Sequence, residues 1–192
     1  MTLLDRPQTD AAGVGRIAVL ETARLALRKP RFEDAKQVAA LAGDRRIAEN
    51  TERIPHPYGI DDARQWISAA ISQSATYAIT IGGEVIGACG LDVPSLHVPP
   101  QAGERTAEAE LGYWIGRPFW GCGYMTEAAR RLINHGFGDL GYKVLTAGAR
   151  VNNPASRRVL EKCGFQWTGV GLRRIRAIGA SVPVDRFRLE RP

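Results

Sequence analysis

The segment Phe119–Leu132, FWGCGYMTEAARRL, places two glycines one residue apart directly before an amphipathic helix. The apolar residues of this helix recur at helical spacing and are Met125, Ala128, Ala129, Leu132, Ile133, Gly136 and Leu140. A helix start exposes unpaired backbone N–H groups and about half a positive charge, and residues without side chains let an anion come close. The pattern favours a phosphate site here, although a tight turn into a packed helix would use the same residues.

Length and composition favour one domain. The chain has 192 residues, of which 44% are apolar, enough for one sizeable core. We expect a flexible polar leader over residues 1–15 and a single domain over residues 16–192. We find no apolar run long enough for a signal peptide or a bilayer span, so we expect a cytoplasmic protein that does not bind membranes.

The three cysteines and the charge narrow the range of ligands. The cysteines are scattered, without CxxC spacing, so we expect reduced thiols and no metal site. The net charge of +6 suits a polyanionic ligand. Because nucleic-acid motifs are absent, direct nucleic-acid binding is not expected. The sequence leaves the oligomeric state open, a homodimer included.

The order of elements indicates an α/β or α+β domain. A strand around RLALRK is followed by two helices, the second capped by Asp61 or Asp62. Two apolar runs around Gly82 and Gly83 predict a tight hairpin. A polar loop over residues 94–105, the strand AEAELGYWIG, the glycine turn with its helix, and a further strand, helix and two closing strands complete the chain.

Two motifs in this order carry a resemblance to a known family. The first is the turn Trp120–Met125, WGCGYM, and the second is Asn153 and Ser156 followed by a helix that ends in Gly164 and Phe165. Together, after the strand AELGYWI, they resemble the GNAT superfamily of N-acetyltransferases, and within it the RimJ/RimL-like branch. The resemblance runs from about Leu20 to Leu189.

The resemblance implies a mixed, mostly antiparallel sheet with splayed central strands, flanked by helices, and acetyl-CoA as the acyl donor. The glycine turn would then wrap the pyrophosphate of coenzyme A. The implied cofactor-binding residues are Tyr113, Trp114, Ile115, Trp120, Gly121, Cys122, Gly123, Tyr124, Met125, Thr126, Asn153 and Ser156. Met125 departs from the small residue that is usual in this family.

The resemblance also suggests catalytic roles, each with a simpler alternative. Glu110 matches a strand glutamate that serves as a base in several relatives, but it could equally be a surface carboxylate beside Glu108. Ser156 is the candidate acid for the leaving thiolate, because Leu160 stands where some relatives have a tyrosine; its hydroxyl could instead bond a carbonyl of its own helix. Gly112, inside a strand, predicts a bulge or a close backbone approach, and a bulge would free backbone N–H groups for the thioester oxygen.

The resemblance places the acceptor pocket at the loop that contains PHPY, so His56, Tyr58, Trp66 and Glu110 are the candidate substrate-binding residues. His56 is also the rival base, although a histidine between prolines is often structural. Acyl transfer needs an uncharged amine, a stabilised oxyanion and a protonated leaving group. At neutral pH a lysine costs about 3.5 kcal/mol more to deprotonate than an α-amine.

The sequence therefore predicts an acetyltransferase that acts by direct attack on a primary amine, favouring the N-terminal α-amine of a protein, ribosomal proteins included. The alternatives are a small amine acceptor (a polyamine, aminoglycoside or amino acid) and a non-catalytic acyl-CoA-binding module.

Overall fold

The computed structural model describes residues 19–73, 75–92 and 108–191. The predicted leader and the predicted loop over residues 94–105 lie outside these ranges. The strands described are β1 (Leu20–Glu21), β2 (Ala26–Arg28), β3 (Thr76–Ile81), β4 (Glu84–Asp92), β5 (Glu108–Ile115), β6 (Val144–Arg150), β7 (Gln166–Ile175) and β8 (Ala180–Glu190). The α-helices described are α1 (Ala35–Ala42), α2 (Arg45–Ala48), α3 (Ile60–Ser72), α4 (Tyr124–Gly138) and α5 (Pro154–Lys162).

The described strands form one sheet in the order β1-β2-β3-β4-β5-β6-β8-β7. Only β5 and β6 run parallel, so the expected mixed and mostly antiparallel sheet is confirmed. Their pairing covers three positions, from Glu108 opposite Val144 to Glu110 opposite Thr146. Beyond Glu110 the two strands diverge, which leaves a gap in the middle of the sheet.

Side-chain alternation gives the sheet two distinct faces. We call the back face the one that carries Leu111, Tyr113, Leu145 and Phe187, and it packs against α4 and α5 in the larger hydrophobic core. The front face carries Glu110. Over β3 to β5 it is covered by α1 and α3, whose Val38 and Ile67 belong to a second core cluster with Ala78 and Val85. The helices therefore leave the front of β6 and β8 less covered than the rest.

The predicted hairpin is confirmed at Gly82 and Gly83, both of which have positive φ angles, as a two-residue hairpin turn requires. Two local predictions were wrong. Helix α3 begins after Gly59 rather than at Asp61 or Asp62, because the Asp62 carboxylate reaches back to accept from the Gly59 N–H at 2.9 Å. Gly112 pairs with Gly90 in unbroken register and forms no bulge. Register shifts lie instead in the β3–β4 pairing, between Ile79 and Thr80, and in the β7–β8 pairing, between Trp167 and Gly169.

No helix in the described ranges is long and apolar enough to cross a membrane.

Candidate active site

The gap between β5 and β6 belongs to a cavity of about 1620 Å³. A pocket for one drug-sized ligand typically measures about 300 to 1,000 Å³, so this cavity has room for more than one substrate. It is lined by Tyr113 and Ser156 on the back of the sheet and by Glu110 and Tyr58 on the front. A molecule held behind the sheet and another held in front of it can therefore meet at the gap.

The glycine turn lies at the back of this cavity. Gly121 and Gly123 both have φ angles of +78°, in the left-handed region that favours glycine. A Cβ at Gly121 would meet nothing within 4 Å, and one at Gly123 only Arg24 Nη2 at 3.6 Å. Gly123 is the N-cap of α4, and no side chain in the described ranges caps that helix. The helix start thus offers backbone N–H groups to an open space, which fits a bound phosphate.

Two contacts hold the glycine turn in place. The Trp120 indole Nε1 donates a hydrogen bond to the Ile115 carbonyl at 2.7 Å, which ties the turn to the end of β5. Arg24 Nη1 donates to the Cys122 carbonyl at 3.1 Å, and its guanidinium lies 4.5 Å from the centre of the Tyr124 ring. The turn is therefore positioned by one side chain of the predicted motif, Trp120, and by one outside it, Arg24.

Arg24 is itself fixed by Glu127, in the first turn of α4. Arg24 donates to the Glu127 carboxylate through its backbone N–H and its Nε, at 2.9 and 2.7 Å, and the Thr22 hydroxyl donates at 2.6 Å. Partial burial acts to raise the pKa of Glu127, but these hydrogen bonds and the Arg24 charge outweigh it, so the pKa lies below its ordinary value. We call Thr22, Arg24 and Glu127 the α4 clasp.

The second motif brings Asn153 and Ser156 to the cavity wall. Asn153 is the N-cap of α5, and its Oδ1 accepts from the Ser156 N–H at 3.2 Å, so its capping role is real. The Ser156 hydroxyl lies 2.9 Å from the Tyr113 hydroxyl, and either oxygen can donate. Tyr113 is therefore the hydrogen-bond partner of this hydroxyl, in place of the two that the sequence suggested, a helix carbonyl or a ligand.

Tyr113, which lines the cavity, shares a hydrogen bond with Ser156 and is partly buried. Burial raises the pKa of Tyr113 above its ordinary value, although the hydrogen bond with Ser156 acts in the opposite direction. The phenol therefore stays protonated at neutral pH and can supply the proton shared with Ser156. The sequence predicts Tyr113 as a site residue but not its pairing with Ser156, because the two residues lie 43 positions apart.

Glu110 lies on the front face, where β5 and β6 part. Its carboxylate oxygens are 2.9 and 3.1 Å from Nη1 of Arg173 on β7. The same nitrogen is 2.8 Å from the Glu52 carboxylate, in the loop between α2 and α3. Arg173 was not predicted as a site residue. In the sequence it stands out only as the first residue of an arginine pair, Arg173 and Arg174, and the chain has several such pairs.

The predicted acceptor residues do not all line the cavity. Tyr58 and Trp66 do, and both pack against the front core cluster. Burial, with a smaller contribution from the Asp62 charge, raises the pKa of Tyr58 to about 12, so its hydroxyl remains a hydrogen-bond donor at neutral pH. His56 is exposed and is not among the residues that line the cavity.

Because Gly112 forms no bulge, backbone N–H groups for an oxyanion would have to come from another part of β5. From Leu111 to Ile115, β5 pairs with β4 on one edge, whereas its pairing with β6 ends at Glu110. The divergence of β5 and β6 thus leaves backbone N–H groups of β5 without a partner in β6, as the predicted bulge would have done. Backbone N–H groups on the edge toward β6 are available to a carbonyl oxygen in the gap.

Comparison with known proteins decides the family. The model of the acetyltransferase (GNAT) domain matches residues 24–166. The chain belongs to this family. It is an acetyl-CoA-dependent N-acetyltransferase, which sets aside the non-catalytic binding module that the sequence left open.

Relatives and solved structures agree with this assignment. The chain is 29% identical over 177 residues to an uncharacterized N-acetyltransferase, p20, of Bacillus licheniformis, covering 88% of this chain and 94% of the relative. A GNAT acetyltransferase from Bacillus anthracis superposes with a TM-score of 0.75 at 18% identity, over 90% of this chain and 98% of the other. RimL, a ribosomal L7/L12 α-N-protein acetyltransferase in complex with coenzyme A, superposes with a TM-score of 0.73 at 16% identity, over 90% and 98% of the two chains. The last two confirm the fold.

Proposed function

We propose that this acetyltransferase acts on the N-terminal α-amine of a protein, by direct attack of the amine on the acetyl group. The observation that carries the proposal is the position of Glu110, a carboxylate on the front face at the point where the cavity passes through the sheet. One carboxylate suffices as base for an α-amine, whose pKa of about 7.8 leaves part of it neutral at pH 7, but serves a lysine poorly. The likeness to RimL, whose acceptor is a ribosomal protein, supports this choice. Such an acceptor would be met in the cytoplasm.

The residues behind the sheet would hold the acyl donor. Gly121, Gly123 and the start of α4 would bind the pyrophosphate, with Tyr113, Asn153 and Ser156 beside the rest of the molecule. Acetyl-CoA supplies the acetyl group as a thioester, whose C–S bond breaks as the acceptor nitrogen bonds to the carbonyl carbon. The freed edge of β5 would stabilise negative charge on the carbonyl oxygen.

Proton transfers at the amine and at the leaving sulfur then complete the reaction. Glu110 would accept the proton that the amine loses on attack. At the other end, the Ser156 hydroxyl would give its proton to the leaving sulfur and recover one from Tyr113, which is protonated at neutral pH. Solvent in the open cavity would then return a proton to Tyr113 and take the one held by Glu110. The amine proton and the sulfur proton are thus handled on opposite faces of the sheet.

The test is acetylation of a panel of acceptors. The panel contains a peptide with a free N-terminus and an internal lysine, the same peptide with its N-terminus blocked, a polyamine, an aminoglycoside and free amino acids. We expect thiol release with the first peptide and, by mass spectrometry, a label on its α-amine. A label on lysine in the blocked peptide at an equal rate, or faster turnover of a small amine, would refute the proposal.

A further inference from the structure

The front of the sheet beyond Glu110 forms a basic wall that the reaction itself does not use. Register places Arg186 of β8 opposite Gly148 of β6, and Arg150 of β6 opposite Val184 of β8. Both arginines therefore share the face that carries Glu110. Arg46 of α2 also lines the cavity, and α2 is joined to this region because Arg150 Nη1 donates to the Glu49 carbonyl at 2.8 Å. We call Arg46, Arg150 and Arg186 the basic wall.

The carboxylates that line the cavity do not neutralise this wall. Each of them pairs with another arginine: Glu52 and Glu110 with Arg173, Asp92 with Arg53, and Glu108 with Arg188. Within the described ranges, Arg46, Arg150 and Arg186 form no ion pair. Even with Arg173 shared between two carboxylates, the described residues at the front of the cavity carry an excess of positive charge.

Two glycines shape the surface around Arg186. The guanidinium of Arg186 lies directly over Gly171 of β7, so closely that any Cβ there would displace it. Gly148, opposite Arg186 on β6, has open space where its Cβ would be. The Arg186 side chain thus lies against the front face of the sheet, next to the open space at Gly148. A molecule that approaches Glu110 from the front could contact it there.

The acyl donor does not account for this charge. The phosphate-binding turn at Gly121 and Gly123 belongs to the start of α4, which packs on the back face. The basic wall lies on the front face, where the acceptor would enter. A guanidinium pairs best with a carboxylate or a phosphate, so the wall favours an acceptor that brings negative charge with its amine.

We infer that the acceptor is anionic near its reacting amine, and specifically an α-amine followed within a few residues by acidic side chains. This inference rests on the proposed function and names its substrate class. Polyamines and aminoglycosides carry several positive charges, which the basic wall would repel. A peptide that begins with a small residue followed by Asp or Glu would set its amine at Glu110 and its carboxylates against Arg186 and Arg46.

The experiment compares three peptides that share an N-terminal serine and differ only in the residues that follow, which are Asp and Glu, alanine, or Lys and Arg. We expect kcat/KM to be about tenfold higher for the acidic peptide than for the neutral one, and lower again for the basic one. The preference should shrink as salt rises from about 0.05 to 0.5 M, because exposed charges are screened. A purely structural role of the arginines would not produce this salt dependence.

Charge-reversal variants test whether the preference for the acidic peptide comes from the basic wall. The double variant R46E/R186E should lose the preference through the KM of the acidic peptide, with the KM for acetyl-CoA unchanged. R176E is the matched control, because Arg176 is exposed, lies in the neighbouring β7–β8 turn and does not line the cavity. It should keep the preference.

Equal rates with all three peptides, or a rise in the KM for acetyl-CoA rather than for the peptide, would overturn the inference and leave the proposed function standing. Acetylation of none of the peptides, with rapid acetylation of a polyamine, would overturn both.

Discussion

At the scale of single residues, the hydrogen-bonded hydroxyls of Tyr113 and Ser156 predict how substitutions change the kinetic constants. S156A should lower kcat about a hundredfold while changing the KM for acetyl-CoA little, because in the proposed reaction the hydroxyl would act on the departing sulfur. Y113F, which keeps the ring, should also lower kcat. If the two act as one proton relay, the double variant should be no worse than the more damaged single variant.

The measurement is steady-state thiol release with a saturating acceptor. Y142F is a suitable control, since Tyr142 also packs at the edge of the core but does not line the cavity. Full activity of S156A would make Ser156 a satisfied helix hydroxyl and nothing more.

Glu110 predicts a different dependence on pH. E110Q keeps the shape and removes the charge, so turnover at pH 7 should fall about a hundredfold. The loss should become smaller as pH rises past about 8, because more of the α-amine then arrives already neutral. H56A tests the rival base, and its exposed position predicts nearly intact turnover. An active E110Q beside an inactive H56A would move the base to the proline-flanked loop.

At the scale of elements, the α4 clasp links the β1–β2 turn to the start of the helix that would hold the pyrophosphate. R24A should raise the KM for acetyl-CoA about tenfold and leave kcat nearly unchanged, because the turn loses the contact at Cys122 and the nearby positive charge. R64A removes an exposed ion pair with Asp61 on α3, away from the cavity, and should change neither constant. An unchanged KM for acetyl-CoA in R24A would show that the glycine turn keeps its shape without Arg24.

The clasp also predicts how stability responds to acid. Because the pKa of Glu127 is lowered in the folded protein, its contribution is complete above the unfolded value of about 4.3 and is lost as pH falls through the folded value. Denaturant unfolding should therefore show wild type more stable than E127Q at pH 7, with a smaller difference near pH 3. E84Q is the control, because Glu84 is exposed in the hairpin and forms no ion pair within the described ranges. A constant gap for E127Q would exclude the clasp as a source of acid sensitivity.

Local signals in the sequence were enough for most elements but not for their exact ends or their contacts. Gly82 and Gly83 predicted the hairpin because a two-residue turn demands positive φ angles. The start of α3 was misplaced because an aspartate inside the first turn can reach back and mimic a cap. The Gly112 bulge was wrong because a glycine pattern cannot tell a bulge from two strands that diverge.

At the scale of the whole molecule, the site depends on contacts between distant parts of the chain. Arg173 and Glu110 are 63 positions apart, and Arg173 and Glu52 are 121 apart, so no spacing rule could pair them. The glycine turn, Asn153 and Ser156 could be predicted as site residues from the family resemblance because they belong to local motifs. The front of the cavity, with Arg173 and the basic wall, follows only from the order of β6, β8 and β7.

The central claim is that the turn at Gly121 and Gly123 holds the acyl donor behind the gap in the sheet, and calorimetric titration with acetyl-CoA tests it most directly. G123V would place a side chain in the space before α4, whereas G141V imposes the same backbone strain, with a φ angle of +76° and open surroundings, away from the cavity. We predict that folded G123V loses measurable binding and that G141V binds like wild type. Equal affinity of G123V and wild type would contradict the account.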